Sequence, residues 1–385
     1  MTESFDVCGP LPTGVTVLEA SAGTGKTVTI AALAARYVAE GVPLEQILMV
    51  TFTRMATGEL RERVRERLVS AEQGLERALA GAAPEDDAVV QLLATGGATV
   101  VGVRRERLAA ALADFDSATI ATTHGFCQEV LGGLGVLGDI EADTTFVEDI
   151  SDLRDEVVDD LYLRRFHRRG VPEFSRGQAM AIASAAIENP AAPIEPADAP
   201  EDTIEAMRVR LAAAARDELE ARKRRMGVMT YDDLLTRLSD TLSGEGGAVA
   251  AARLRARYRV VLVDEFQDTD PVQWRIMQTA FGDGEVTLVL IGDPKQAIYA
   301  FRGADVYAYL EAARSAATQE TLDVNWRSDQ ALLDAYDALF GGAKLGHEGI
   351  VYREVRAAAT NADTRLHGAP DPAPLRIRVV PRDAV

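Results

Sequence analysis

Five apolar, β-branched segments punctuate the chain: VTVL (15–18), ILMVTF (47–52), ATIATT (118–123), VVLVDE (260–265) and VTLVLI (286–291). Stretches of helical pattern separate them. Strands that alternate with helices need crossovers, so the pattern predicts βαβ units and an α/β fold on a parallel sheet. ETLDVN (320–325) is a candidate further strand, in this sheet or in a following domain. Every core segment runs into a polar cluster: GTGKT, TFTR, TTHGF, DEFQDT and GDPKQ. In an open parallel sheet the carboxyl ends of the strands share one edge, where ligands bind. The clusters are therefore expected to form one composite site.

A chain of 385 residues has room for two or three domains. With 47% apolar and 26% charged residues it reads as soluble and globular, and no run approaches a membrane span. The opening MTESFDVCGPLP shows neither a basic start nor an apolar core, so no signal peptide is expected. Two cysteines, Cys8 and Cys127, make neither a disulfide framework nor a zinc site, which favours a reducing, cytoplasmic setting. A net charge of −19 speaks against nonspecific nucleic-acid binding by the whole surface. Two basic runs, LRRFHRRG (163–170) and RKRRM (222–226), are read either as solvated helix faces or as local nucleic-acid tracks. Both lie in a mostly helical excursion, about residues 132–226, broken by the Pro/Ala-rich ENPAAPIEPADAPED (188–202). That excursion reads as a helical domain inserted into the α/β core.

The first strand passes directly into a phosphate loop, Ala20, Ser21, Ala22, Gly23, Thr24, Gly25, Lys26 and Thr27. Its glycines turn backbone N–H groups toward phosphates, Lys26 neutralises charge, and the Thr27 hydroxyl suits Mg²⁺. The first glycine of the usual pattern is replaced by Ala20. The fourth strand ends in Asp264 and Glu265. Adjacent acids after four apolar residues are costly unless a cation or a reaction uses them. Asp264 suits Mg²⁺ and Glu265 suits an attacking water; a helix cap would explain only one of the pair. The loop GDPKQAIYAFRGAD (292–305) mixes polar groups fit for a nucleotide with rings fit for stacking on bases. A core role for Tyr299 and Phe301, a buried hydrogen-bonding His124, and a Phe52 that ends the strand core are the plainer alternatives.

Six motifs in order, EASAGTGKT, VTFTRMATGELRERV, TTHGFCQEVL, VDEFQDTDPVQW, IGDPKQAIYAFRGAD and LDVNWRS, resemble those of UvrD-like superfamily 1 DNA helicases, and most closely the RecB branch. The resemblance implies a P-loop NTPase (RecA-like) parallel sheet with an inserted helical domain. It divides the chain into a first motor core (1–131 and 227–319), an inserted accessory domain (132–226) and an incomplete second core (320–385). It implies ATP and Mg²⁺ bound by Lys26, Thr27 and Asp264, with Glu265 as base and Gln296 sensing the γ-phosphate. Arg327 would reach that phosphate and Trp326 would stack on the adenine. Phe52, Thr53, Arg54, Thr122, His124, Phe126, Tyr299, Phe301 and Arg302 fall in segments that line single-stranded DNA. Duplex DNA and RecC-like and RecD-like subunits are the implied partners, with 3′→5′ movement in double-strand-break repair.

The chain departs from the family in two places. The glutamine that reads adenine has no counterpart in GPLPTGVTVLEA, where Thr13 lies near its place. The motifs that follow NWRS in relatives, and the RecB nuclease domain, are absent, so a truncated product with little turnover of its own is expected. A UvrD/Rep-type or AddA-type helicase, a non-catalytic DNA-binding fragment and a small-molecule P-loop kinase are the competing readings. The last leaves TFTRMAT and AIYAFRGAD without a purpose.

Overall fold

The computed structural model describes residues 3–82, 86–134, 144–147, 149–167, 172–189, 192–298, 304–368, 371 and 373–379. Two compact units emerge: residues 1–130 with 238–385, and residues 131–237.

The larger unit is built on a seven-stranded sheet. Its order is β1 (Glu3–Ser4), β9 (Thr318–Leu322), β2 (Val15–Ala20), β8 (Thr287–Gly292), β7 (Val260–Val263), β3 (Ile47–Thr51) and β4 (Thr119–Thr122). Every neighbouring pair is parallel. All residues of β3 and β7 are buried, the pattern of strands covered by helices on both faces. Helices α1 (Lys26–Ala39), α2 (Arg54–Leu79) and α4 (Gly97–Ala113) pack on one another over a core that includes Leu18, Ile30, Met49, Leu68 and Leu262. The foot of α1 is latched to the chain start. Tyr37 Oη donates to the Pro12 carbonyl at 2.7 Å, and the buried Arg36 guanidinium donates to the carbonyls of Val7 and Gly9.

The segment ETLDVN divides: its first half belongs to β9 of this sheet, and Val324–Asn325 form a strand outside it. β9 pairs with β2 from Thr16↔Thr318 to Ala20↔Leu322, so the sheet continues past the expected boundary at residue 320. Beyond it, β10 (Val324–Asn325) pairs in parallel with β11 (Arg356–Ala357), joined through α13 (Gln330–Phe340).

The smaller unit holds α6 (Ser151–Phe166), α7 (Arg176–Glu188) and α8 (Ile204–Met226) around Val158, Phe166, Phe174, Ala179, Ala183 and Ala215. Phe166 and Phe174 meet edge-on with centroids 5.2 Å apart. A capping box between Ser175 and Gln178 starts α7. This unit runs on to Arg237, past the expected end at 226, because β6 (Val228–Met229) pairs with β5 (Thr145–Phe146) inside it. No helix among the described residues is long and apolar enough to cross a membrane.

Candidate functional site

Because the sheet is parallel, the loops after β2, β3, β4, β7 and β8 leave from one edge. Strand order sets their neighbourhood: β8 lies between β2 and β7, and the phosphate loop and the paired acids meet across its carboxyl end.

The phosphate loop turns through two left-handed glycines, Gly23 (φ 83°) and Gly25 (φ 88°), into the amino end of the fourteen-residue α1. Such a turn leaves backbone N–H groups pointing into one concavity at the positive end of the helix. Lys26 stands at that end and pairs with Glu265, Nζ to Oε2 at 2.8 Å. Glu265 has the only positive φ (50°) outside glycine among the described residues. An N–H from this strained residue reaches the Asp264 carboxylate at 2.9 Å, fixing the corner between the acids.

Asp264 is buried, and its carboxyl is pushed up to about 6, first by burial and then by the neighbouring Glu265 charge. Lys26 only partly offsets this. Asp268 is pushed up to about 6 for the same two reasons, and its Oδ1 is buried with no hydrogen-bond partner among the described residues. Two buried acids held above their usual range, with one oxygen orphaned, suit a divalent cation and its water. The glycine cradle, Lys26 and these carboxylates therefore fit a nucleoside triphosphate with magnesium.

Gln267, which sequence reasoning passed over, ties the acids to the β8 loop. Its Nε2 donates to Glu265 Oε2 at 2.9 Å and its Oε1 accepts the Asp293 N–H at 2.9 Å. Asp293 in turn accepts from Gln296 Nε2 at 2.7 Å and pairs with Lys295 Nζ at 2.7 Å. Lys295 also reaches Glu19 Oε1 at 2.7 Å, and Arg353 closes on the other oxygen of Glu19. A readable signal existed: Glu19 directly follows the buried run of β2, and an acid there calls for a cation.

Trp326 and Arg327 are both exposed and lie beside the phosphate loop. The Trp326 N–H donates to the Gly23 carbonyl at 2.7 Å. A Cβ at Gly25 would sit 3.7 Å from the Trp326 ring.

The expected nucleic-acid residues divide. Thr53 and Arg54 are exposed and Phe52 is half-buried where β3 passes into α2; the Thr53 hydroxyl caps that helix through the Ala56 N–H at 3.1 Å. Thr122 accepts the Gly125 N–H at 3.1 Å at the start of α5 (Thr123–Leu134), and His124 is half-buried there. Phe126 is a correction. It is fully buried, with its ring 6.3 Å from Tyr258 and 6.4 Å from Phe281, and is therefore a core residue with no face for a base. Tyr299, Phe301 and Arg302 lie outside the described residues. The RKRRM run is also mostly committed: Arg222 pairs with Glu156, Asp160 and Glu218, and the buried Lys223 pairs with Glu220 and Asp233.

Residues 5–317 match the family model of the UvrD/REP helicase N-terminal domain. The chain belongs to the UvrD/REP helicase family. This UvrD/REP-type chain is 50% identical over 382 residues to the RecBCD enzyme subunit RecB of Mycolicibacterium smegmatis, covering 98% of itself and 34% of that protein. It is 47% identical over 384 residues to the RecB subunit of Mycobacterium tuberculosis H37Rv, covering 99% and 34%. With the RecB subunit of Escherichia coli K12 it shares 43% identity over 147 residues, 38% of this chain and 12% of that one. The chain thus spans about a third of the length of the mycobacterial relatives.

Proposed function

We propose that this chain is the ATP-binding motor portion of a 3′→5′ DNA helicase of RecB type, coupling ATP hydrolysis to movement on single-stranded DNA during double-strand-break repair. The observation that carries the reading is the Lys26–Glu265 pair at 2.8 Å, set between a left-handed glycine loop and the buried Asp264. Three chemically different demands of triphosphate hydrolysis are met there by neighbouring groups: a phosphate cradle, a cation seat and a base.

Magnesium, when bound, supplies positive charge for the phosphate oxygens, and Thr27 and Asp264 are the residues that would hold it. Lys26 exchanges its Glu265 partner for phosphate, which frees that carboxylate to orient water and take its proton. Gln267 keeps Glu265 aimed through this exchange, because its amide is anchored on the Asp293 backbone. Gln296, held by Asp293, and Arg327 are the groups proposed to meet the γ-phosphate, with Trp326 on the base. Any movement of Gln296 is passed to the loop that continues into Tyr299, Phe301 and Arg302, the proposed DNA contacts together with Phe52, Thr53, Arg54, Thr122 and His124. Polarity, RecC-like and RecD-like partners, duplex DNA and a cytoplasmic setting rest on the likeness to RecB.

The test is ATP hydrolysis by the full-length protein, with and without a single-stranded oligonucleotide. Stimulation by DNA, lost in Lys26→Ala with DNA binding retained, is the expected result. DNA binding lost while hydrolysis persists would refute the assignment.

A further inference from the structure

We propose that Asn325 is the positioning residue that builds the Trp326–Arg327 turn onto the phosphate loop and so sets the loop for phosphate. This deepens the nucleotide reading above and rests on it.

Asn325 is buried, 4% exposed, and every polar atom of its amide is used. Its Nδ2 donates to the Ala22 carbonyl at 2.9 Å. Its Oδ1 accepts the N–H groups of Arg327 at 2.9 Å and Ser328 at 2.8 Å. Only an NH₂ can face a carbonyl and only an oxygen can face two N–H groups, so one orientation of the amide is allowed. The next residue continues the contact, since the Trp326 N–H holds the Gly23 carbonyl. Two successive carbonyls of the phosphate loop are thus bound by two successive residues of the turn.

Peptide groups are planar and trans, so holding the Ala22 carbonyl points the Gly23 N–H the opposite way. The clasp therefore fixes a donor of the cradle from behind. A second observation is independent of these bonds. A Cβ at Gly23 would lie 2.7 Å from Arg327 Cβ and 3.0 Å from Asn325 Oδ1, so loop and turn touch at backbone distance. This glycine is needed for the clasp as well as for its left-handed φ. The turn is braced on its far side, where buried Asn361 donates Nδ2 to the Trp326 carbonyl at 2.9 Å. Asn325 touches no nucleotide on this account; it acts through the loop and through Trp326 and Arg327.

The test titrates magnesium ADP and magnesium ATP onto the 385-residue chain by calorimetry, comparing wild type, Asn325→Ala and Asn325→Asp, with folding checked by circular dichroism. In Asn325→Asp the acceptor for Arg327 and Ser328 survives, but a carboxylate oxygen now faces the Ala22 carbonyl. Both variants are expected to lose about tenfold or more in affinity for both nucleotides at about pH 8. Toward about pH 5 the buried carboxyl gains a proton that can donate to Ala22, so Asn325→Asp should regain affinity relative to wild type at the same pH, and Asn325→Ala should not. Should Asn325→Ala fail to fold, the acid recovery of Asn325→Asp decides alone. Affinity of Asn325→Asp within about twofold of wild type at about pH 8, or no recovery in acid, would overturn the proposal. Failure of the wild-type chain to bind either nucleotide would instead overturn the nucleotide reading, and the wild-type titration alone reveals it.

Discussion

Holding Asp264 ionised is a cost that the nucleotide-free chain carries, because burial and the Glu265 charge both favour its neutral form. A carboxyl raised from 3.8 to about 6 binds its proton more tightly folded than unfolded. Its contribution to stability is therefore fully present below the unfolded value and is lost as the pH rises through about 6. Asp264→Asn removes this burden. It should stabilise the chain against urea by up to roughly 3 kcal/mol at about pH 8, with the gain fading toward about pH 4. The same substitution should abolish the magnesium-dependent part of nucleotide binding. A variant that gained no stability at about pH 8 would show that the acid is already compensated. In the wild type, magnesium-dependent affinity should climb as the pH rises through about 6, where Asp264 and Asp268 lose their protons.

At the scale of elements, α5 shows how a motif next to a site can be misread. Phe126, Cys127, Val130 and Leu131 are buried while Gln128 and Glu129 are exposed, an amphipathic stripe that was legible in TTHGFCQEVL. The nucleic-acid reading of Phe126 is what the family resemblance implies for the whole segment, although the helical position of this ring faces the core. Phe126→Ala should accordingly cost about 3–5 kcal/mol in a denaturation experiment, while the folded fraction binds a single-stranded oligonucleotide as before. Five strands of the large sheet, β2, β3, β4, β7 and β8, were readable to within two residues at each end, since unbroken β-branched runs have few other fates. Short strands such as β1, β5 and β6 carry no such run. The glycine loop at 23–25 and the adjacent acids Asp264 and Glu265 also stood out in the sequence, because they break the apolar pattern around them, and the structure brings them together through Lys26. Gln267 and Asn325 did not. Each is a buried amide whose value comes from partners more than twenty residues away at Asp293 and some three hundred away at Ala22, and periodicity carries no record of such distances.

At the scale of the whole molecule, two compact units with separate cores should respond separately to injury. Phe166→Ala opens the cluster shared with Phe174 and Ala215. Hydrogen exchange should then accelerate within residues 144–237 and stay unchanged in β2, β7 and β8; faster exchange in those strands would mean that the units unfold as one. The larger unit carries a different constraint. The strand bearing the phosphate loop, β2, has β8 and β9 as its neighbours, and both come from the far end of the chain. A nascent polypeptide emerging from the ribosome therefore holds β2 without its partners until residues 287–322 have been made. The glycine loop that follows β2 is thus synthesised well before the strands that hold it in place.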